Sequence, residues 1–110
     1  MGLVGPRRFD VVLVRFDPTE GSEIRKTRPS VVVSPDEMNA ALRTLIVAPM
    51  TTGGHSYPWR VDVVFQGRDG RIAVDQIRTI DKSRVMRRLG SLGGGVAERT
   101  LETLTEMFAP

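Results

Sequence analysis

Short apolar runs, separated by turn-forming residues roughly every 8 to 12 positions, restrict this chain to a small barrel or a strongly curved sheet. Phe9 to Phe16 is valine-rich and stops at Asp17-Pro18. Pro29 to Ser34 forms a second run. Leu45 to Pro49 is a third, apolar throughout, and reads as a strand buried on both faces. Trp59 to Phe65 and Arg71 to Asp75 flank Gln66-Gly67-Arg68-Asp69-Gly70, which predicts a hairpin with Asp69-Gly70 as its strongest turn signal. Ile77 to Ile80 extends the second arm, Asp81 to Val85 suits one helical turn, and Met86 to Leu92 gives a last strand before Gly93-Gly94-Gly95.

Two segments carry helical signals. Ser34-Pro35-Asp36-Glu37 places a capping hydroxyl, a proline and two acids where a helix should start, and the helix should end near Arg43. Over residues 96 to 109, Ala97, Leu101, Leu104 and Phe108 form an apolar stripe, while Glu98, Glu102 and Glu106 line another face. The expected architecture is α+β, mainly antiparallel sheet, with a short helix after the second strand and an amphipathic helix at the C-terminal end.

A chain of 110 residues suits one domain, taken as residues 1–110. No apolar run approaches the roughly 18 residues needed to cross a bilayer, so no membrane association is expected. Met1 to Pro6 lacks the charged and long apolar segments of a signal peptide. The absence of cysteine excludes disulfides and thiolate metal sites and fits a reducing cytoplasm. The net charge is +3, and only Lys26 and Lys82 are lysines, so the basic excess is almost all arginine. Arginine reads phosphate bidentately. Lys82, Arg84, Arg87 and Arg88 form one basic group and Arg25, Lys26 and Arg28 another, which suggests a polyanionic partner.

Arg28 lies directly before Pro29 at the start of a strand. Proline holds the preceding residue extended, so this guanidinium is aimed by a stiff frame. The polar segment 17–27 before it, and the segment 51–58 with Gly53, Gly54, His55 and Tyr57, are long loops for a small domain. A fixed guanidinium beside such loops suggests an anion site, and phosphate is the first candidate. A plain salt bridge from Arg28 to Glu23 is the structural alternative.

With these segments in place, the chain resembles the MazF/PemK endoribonuclease toxins over roughly residues 8 to 108. The carrying segments are FDPTEGSE (Phe16 to Glu23), TRPSVVVSP (Thr27 to Pro35), IVAPMTT (Ile46 to Thr52), YPWRV (Tyr57 to Val61) and DQIRTIDKSR (Asp75 to Arg84). The resemblance implies an SH3-like β-barrel with added helices and a homodimer. It implies metal-independent, cofactor-free, sequence-selective cleavage of single-stranded RNA, and neutralisation by a MazE-like antitoxin with an acidic tail. Many members open the first strand with Arg-Gly-Asp, whereas this chain has Arg8-Phe9-Asp10. Met1 to Pro6 fall outside the pattern and are expected to be flexible.

The family's catalytic arginine falls on Arg28 and its catalytic threonine or serine on Thr51. Glu23 is the carboxylate expected to orient Arg28 or, secondarily, to move a proton; an adjacent guanidinium lowers a carboxylate pKa, which disfavours the base role. Arg25, Lys26, Thr52, His55, Tyr57, Gln76 and Arg78 are candidates to contact RNA through phosphates, base edges or stacking. For each, an ordinary structural role is the alternative. Trp59 reads as core or interface. No His/Asp/Glu cluster has metal-ligand spacing. The rival function is a non-enzymatic gyrase inhibitor of the CcdB type on the same scaffold, which would not need Arg28 and Thr51 together.

Overall fold

A computed structural model describes residues 5–16, 21–22 and 26–110. The described residues form seven strands: β1 (Asp10–Arg15), β2 (Thr27–Val32), β3 (Thr44–Thr51), β4 (Arg60–Phe65), β5 (Arg68–Ala73), β6 (Arg78–Asp81) and β7 (Val85–Ser91). Two α-helices, α1 (Asp36–Ala41) and α2 (Gly94–Phe108), follow β2 and β7. Short 3-10 turns at Val74–Gln76 and Lys82–Arg84 bracket β6.

All pairings are antiparallel, in the order β4-β5-β3-β2-β1-β7, and β6 also pairs with β3. Strand β3 is the spine. One edge meets β2, with Ser30 opposite Pro49 and Val32 opposite Val47. Its other edge is shared: β6 takes Thr44 to Val47, and β5 takes Met50 and Thr51. The Val74–Gln76 turn, which links β5 to β6, packs on β3 at the gap. That gap explains how a proline sits in a central strand. The Ile46 carbonyl points to β2, where Val33 donates to it, so strand alternation turns the Pro49 nitrogen to the opposite edge. No ladder partner stands there to miss a donor.

Apolar residues fill both faces of the sheet. Val11, Val31, Val33, Ala48, Met50, Val61, Val63, Ile72 and Val74 form one cluster, onto which Val96 and Leu104 of α2 pack. Val12, Val14, Phe16, Val32, Leu45, Val47 and Ile80 form the other. Leu45 to Pro49 is buried on both faces as its composition predicted, except for half-buried Ile46.

Several local expectations are corrected. The hairpin turn is Gln66-Gly67, not Asp69-Gly70: both turn residues have positive φ, +52° and +77°, as a two-residue turn of this hand requires. Ser34 does not cap α1. Its hydroxyl, buried, donates to Asn39 Oδ1 and accepts the Ile46 N–H at 3.0 Å, and α1 ends at Ala41 rather than Arg43. On α2, Phe108 is 72% exposed and the buried positions are Ala97 and Thr100. Thr100 is tolerated inside since its hydroxyl donates to the Val96 carbonyl at 2.8 Å. Trp59 is exposed and stacked on Tyr57, which excludes the core half of its core-or-interface expectation.

Phe9 has φ +72°, a left-handed conformation that glycine adopts without strain. This is the position where the resembling family often has glycine. Two backbone bonds, Phe9 N–H to Val32 O at 2.7 Å and Leu92 N–H to Phe9 O at 2.9 Å, hold the strained residue.

Candidate functional site

The half-barrel is drawn together at the tip of the β4–β5 hairpin. Gln66 Nε2 donates to the Leu89 carbonyl of β7 at 3.1 Å, and the Phe65 ring lies against Gly90. Between this tip and the β2–β3 pair lies a groove of about 400 Å³. Its lining comes from Thr27, Arg28 and Pro29 of β2, from Met50 and Thr51 at the end of β3 with Thr52 after it, and from Phe65, Gln66, Arg68, Asp69 and Gly70 of the β4–β5 hairpin. The β2–β3 register, carried two residues beyond Ser30–Pro49, sets Arg28 beside Thr51. Both side chains are half-buried. The Thr51 hydroxyl has a single long bond, to the Gly53 carbonyl at 3.5 Å, which a ligand oxygen can replace.

A second concavity of about 670 Å³ continues from the groove, sharing Thr52, Val63, Asp69 and Gly70 and reaching Asp62 and Arg71. Arg71 is committed to the protein: it pairs with Asp62 at 3.1 Å and donates to the Gly54 carbonyl at 2.9 Å, fixing the 51–58 loop to β5. Arg68 and Asp69 differ. Both are exposed, and neither side chain has a hydrogen-bond or ion-pair partner among the described residues.

The remaining sequence candidates divide by position. Thr52 lines both concavities. Lys26 precedes β2 with φ +67°, and its carbonyl accepts the Phe16 N–H. Glu23 and Arg25 lie outside the described residues. His55, Tyr57 and Trp59 form an exposed ladder: ring centroids are 6.1 Å apart for the first pair and 5.0 Å, nearly parallel, for the second. Arg60 stands over Tyr57 at 5.9 Å and is held by a two-point bond to Asp75, which raises the Arg60 pKa still further. Gln76 is in the turn before β6, and Arg78 covers the Phe16 ring at 5.2 Å. The ladder, Gln76 and Arg78 do not line the groove. Arg68 and Asp69 are not among the sequence candidates: two opposite charges beside a glycine in a hairpin carry only a turn signal. Among the described residues no three His, Asp or Glu side chains gather to hold a metal ion.

The comparisons agree with this architecture. The family model described as "PemK-like, MazF-like toxin of type II toxin-antitoxin system" matches residues 7–108. The Endoribonuclease toxin MazF of Escherichia coli (strain K12) is 40% identical over 75 residues, covering 68% of each chain. The crystal structure of MazF from Deinococcus radiodurans superposes with a TM-score of 0.83 at 26% identity, covering 93% of this chain and 94% of that one. An endoribonuclease in complex with its cognate antitoxin, from a mycobacterial species, shares the fold at a TM-score of 0.79 and 18% identity, with 93% of both chains covered. The fold and groove therefore define a toxin-type half-barrel. The chain belongs to the PemK-like, MazF-like toxins of type II toxin–antitoxin systems.

Proposed function

We propose that this protein is an endoribonuclease toxin that cleaves single-stranded RNA at selected sequences without a metal ion or cofactor. The observation that carries the reading is the meeting of Arg28 and Thr51 in one groove, within a chain of this family. The reaction forms a bond from the 2′-oxygen to phosphorus and breaks the bond from phosphorus to the 5′-oxygen. The 2′-OH loses its proton and the 5′-oxygen gains one, leaving a 2′,3′-cyclic phosphate (or, after hydrolysis, a 3′-phosphate) and a 5′-OH end. Negative charge builds on the phosphoryl oxygens, and fixed donors aimed at such charge are usually the largest catalytic term. Arg28 supplies a bidentate cation there and Thr51 a hydroxyl donor. Glu23 orients Arg28 from the adjoining segment. Arg68, with Lys26 and Arg25, holds flanking phosphates; Thr52, His55, Tyr57, Gln76 and Arg78 contact RNA further along.

The protein acts as one MazF/PemK-like unit, works as a homodimer in the cytoplasm on cellular RNA, and is neutralised by an antitoxin. The mycobacterial relative, bound to its antitoxin, supports the last point. The antitoxin presents an acidic segment to the groove and its Arg28 side, so its affinity falls as salt rises. No described helix is long and apolar enough to cross a membrane. The gyrase-inhibitor reading is not favoured, because it gives Arg28 and Thr51 no joint task.

One assay tests the function. Purified protein is incubated with single-stranded RNA in EDTA and the new ends are mapped. Site-specific cuts ending in 5′-OH are expected. Intact RNA, with trapped gyrase–DNA complexes, would overturn the enzyme in favour of the inhibitor.

A further inference from the structure

Strand β5 passes unusually close to the end of β3, at a glycine. A Cβ placed on Gly70 would stand 2.8 Å from the Thr51 carbonyl oxygen, whereas ordinary contact begins at 3.4 Å. The neighbour is main chain, so no side-chain rotation makes room. Gly70 is not among the positive-φ glycines and lies inside β5, opposite Val63, so backbone freedom is not the reason for it. The space is the reason. Thr51 is the last residue of β3, and on this edge its place is set by the ladder Met50–Ile72 and Thr51–Arg71. Beyond it the chain turns through bends to Gly54.

We propose that Gly70 is a positioning residue for the reaction: its missing side chain lets β5 hold Thr51 at the height where its hydroxyl and Arg28 reach the same phosphate. The inference rests on the proposed function. An alanine at 70 must push the Thr51 main chain, or β5, away by about half an ångström, and misplacements approaching 1 Å cost on the order of a hundredfold in rate. RNA binding is spread over many contacts and changes little.

Gly70→Ala, Thr51→Ala and Thr51→Ser, alone and combined, are assayed for RNA cleavage in EDTA, with Gly95→Ala in α2 as the substitution control, since nothing lies within 4 Å of that site. Gly70→Ala should lower kcat about tenfold to a hundredfold, with KM within about twofold. In the Thr51→Ala background the same change should cost less than about twofold, because the two act as one unit. Serine, free of threonine's branched χ1 restriction, should restore part of the Gly70→Ala loss. Equal losses in both backgrounds, no serine rescue, or an unfolded Gly70→Ala would overturn the proposal. The Thr51 and Thr52 amide resonances give a readout independent of cleavage. Wild-type protein that cuts no RNA defeats the functional reading alone, while unmoved Thr51 resonances in folded Gly70→Ala defeat the positioning role.

Discussion

The two ends of β3 are built from similar residues and used in opposite ways. At the Thr44 end, polar groups are spent on one another. Ser34 bonds Asn39 and the Ile46 N–H, Asn39 Nδ2 donates to the Ser34 carbonyl at 2.9 Å, and Lys82 Nζ reaches the Asn39 carbonyl. Asn39 is only 2% exposed, so each bond replaces water that cannot enter. At the Thr51 end, a hydroxyl with one long bond, an arginine ahead of a proline, and Arg68 and Asp69, whose side chains have no partner among the described residues, line a groove. Satisfied polar groups hold the fold; groups left accessible are available to a ligand.

The largest expected effect breaks the open end. Arg28→Ala should lower cleavage by at least about a hundredfold to a thousandfold, while circular dichroism and melting stay near wild type. A mutant that unfolds would make Arg28 structural and erase the contrast. The closed end should respond in the reverse sense. Asn39→Ala leaves Ser34 without its partner in a dry site, at a cost of about 2–3 kcal/mol by denaturant unfolding, with kcat per folded molecule unchanged. A selective loss of kcat there would show the two ends to be coupled.

Arg68→Ala sharpens the open end. Its exposed guanidinium should contribute binding and not chemistry, so KM rises severalfold, kcat at saturation holds, and the slope of log affinity against log salt falls by about one. An unchanged salt slope would remove Arg68 from the RNA path. The smallest effect belongs to Asp36, at the closed end. The Arg8 backbone N–H, at 2.7 Å, is the main cause holding its carboxyl below the usual range; desolvation opposes it, and Arg7 adds to the lowering. A depressed carboxylate stabilises above its unfolded pKa and loses that contribution as pH falls through the folded value. Asp36→Ala should therefore lower Tm slightly at neutral pH, with the difference fading as pH drops below 3.8, the ordinary value for this group. A difference that persists at lower pH would trace it to packing.

The closed end was the less legible of the two. The Ser34-Pro35-Asp36-Glu37 run identified a helix start, yet not that Ser34 would turn inward to Asn39, five residues away, because burial decides between a cap and a core partner. The hairpin was legible in its existence and not in its turn. Gly67 and Gly70 are both turn-forming in isolation, and the approach of Thr51 to Gly70 assigns the second to a strand. The same approach brings Arg68 and Asp69 to the groove, which their spacing in the chain does not reveal.

By itself, the order of apolar runs and turn residues determined an antiparallel small barrel or strongly curved sheet with a terminal helix, and Arg28-Pro29 and Thr51 determined the candidate chemistry through local stiffness and family pattern. Only the tertiary structure decided which loops share a groove, since Arg28, Thr51 and Arg68 meet through non-local strand pairing. Register and close packing are set by contacts between distant residues, and no single segment carries them.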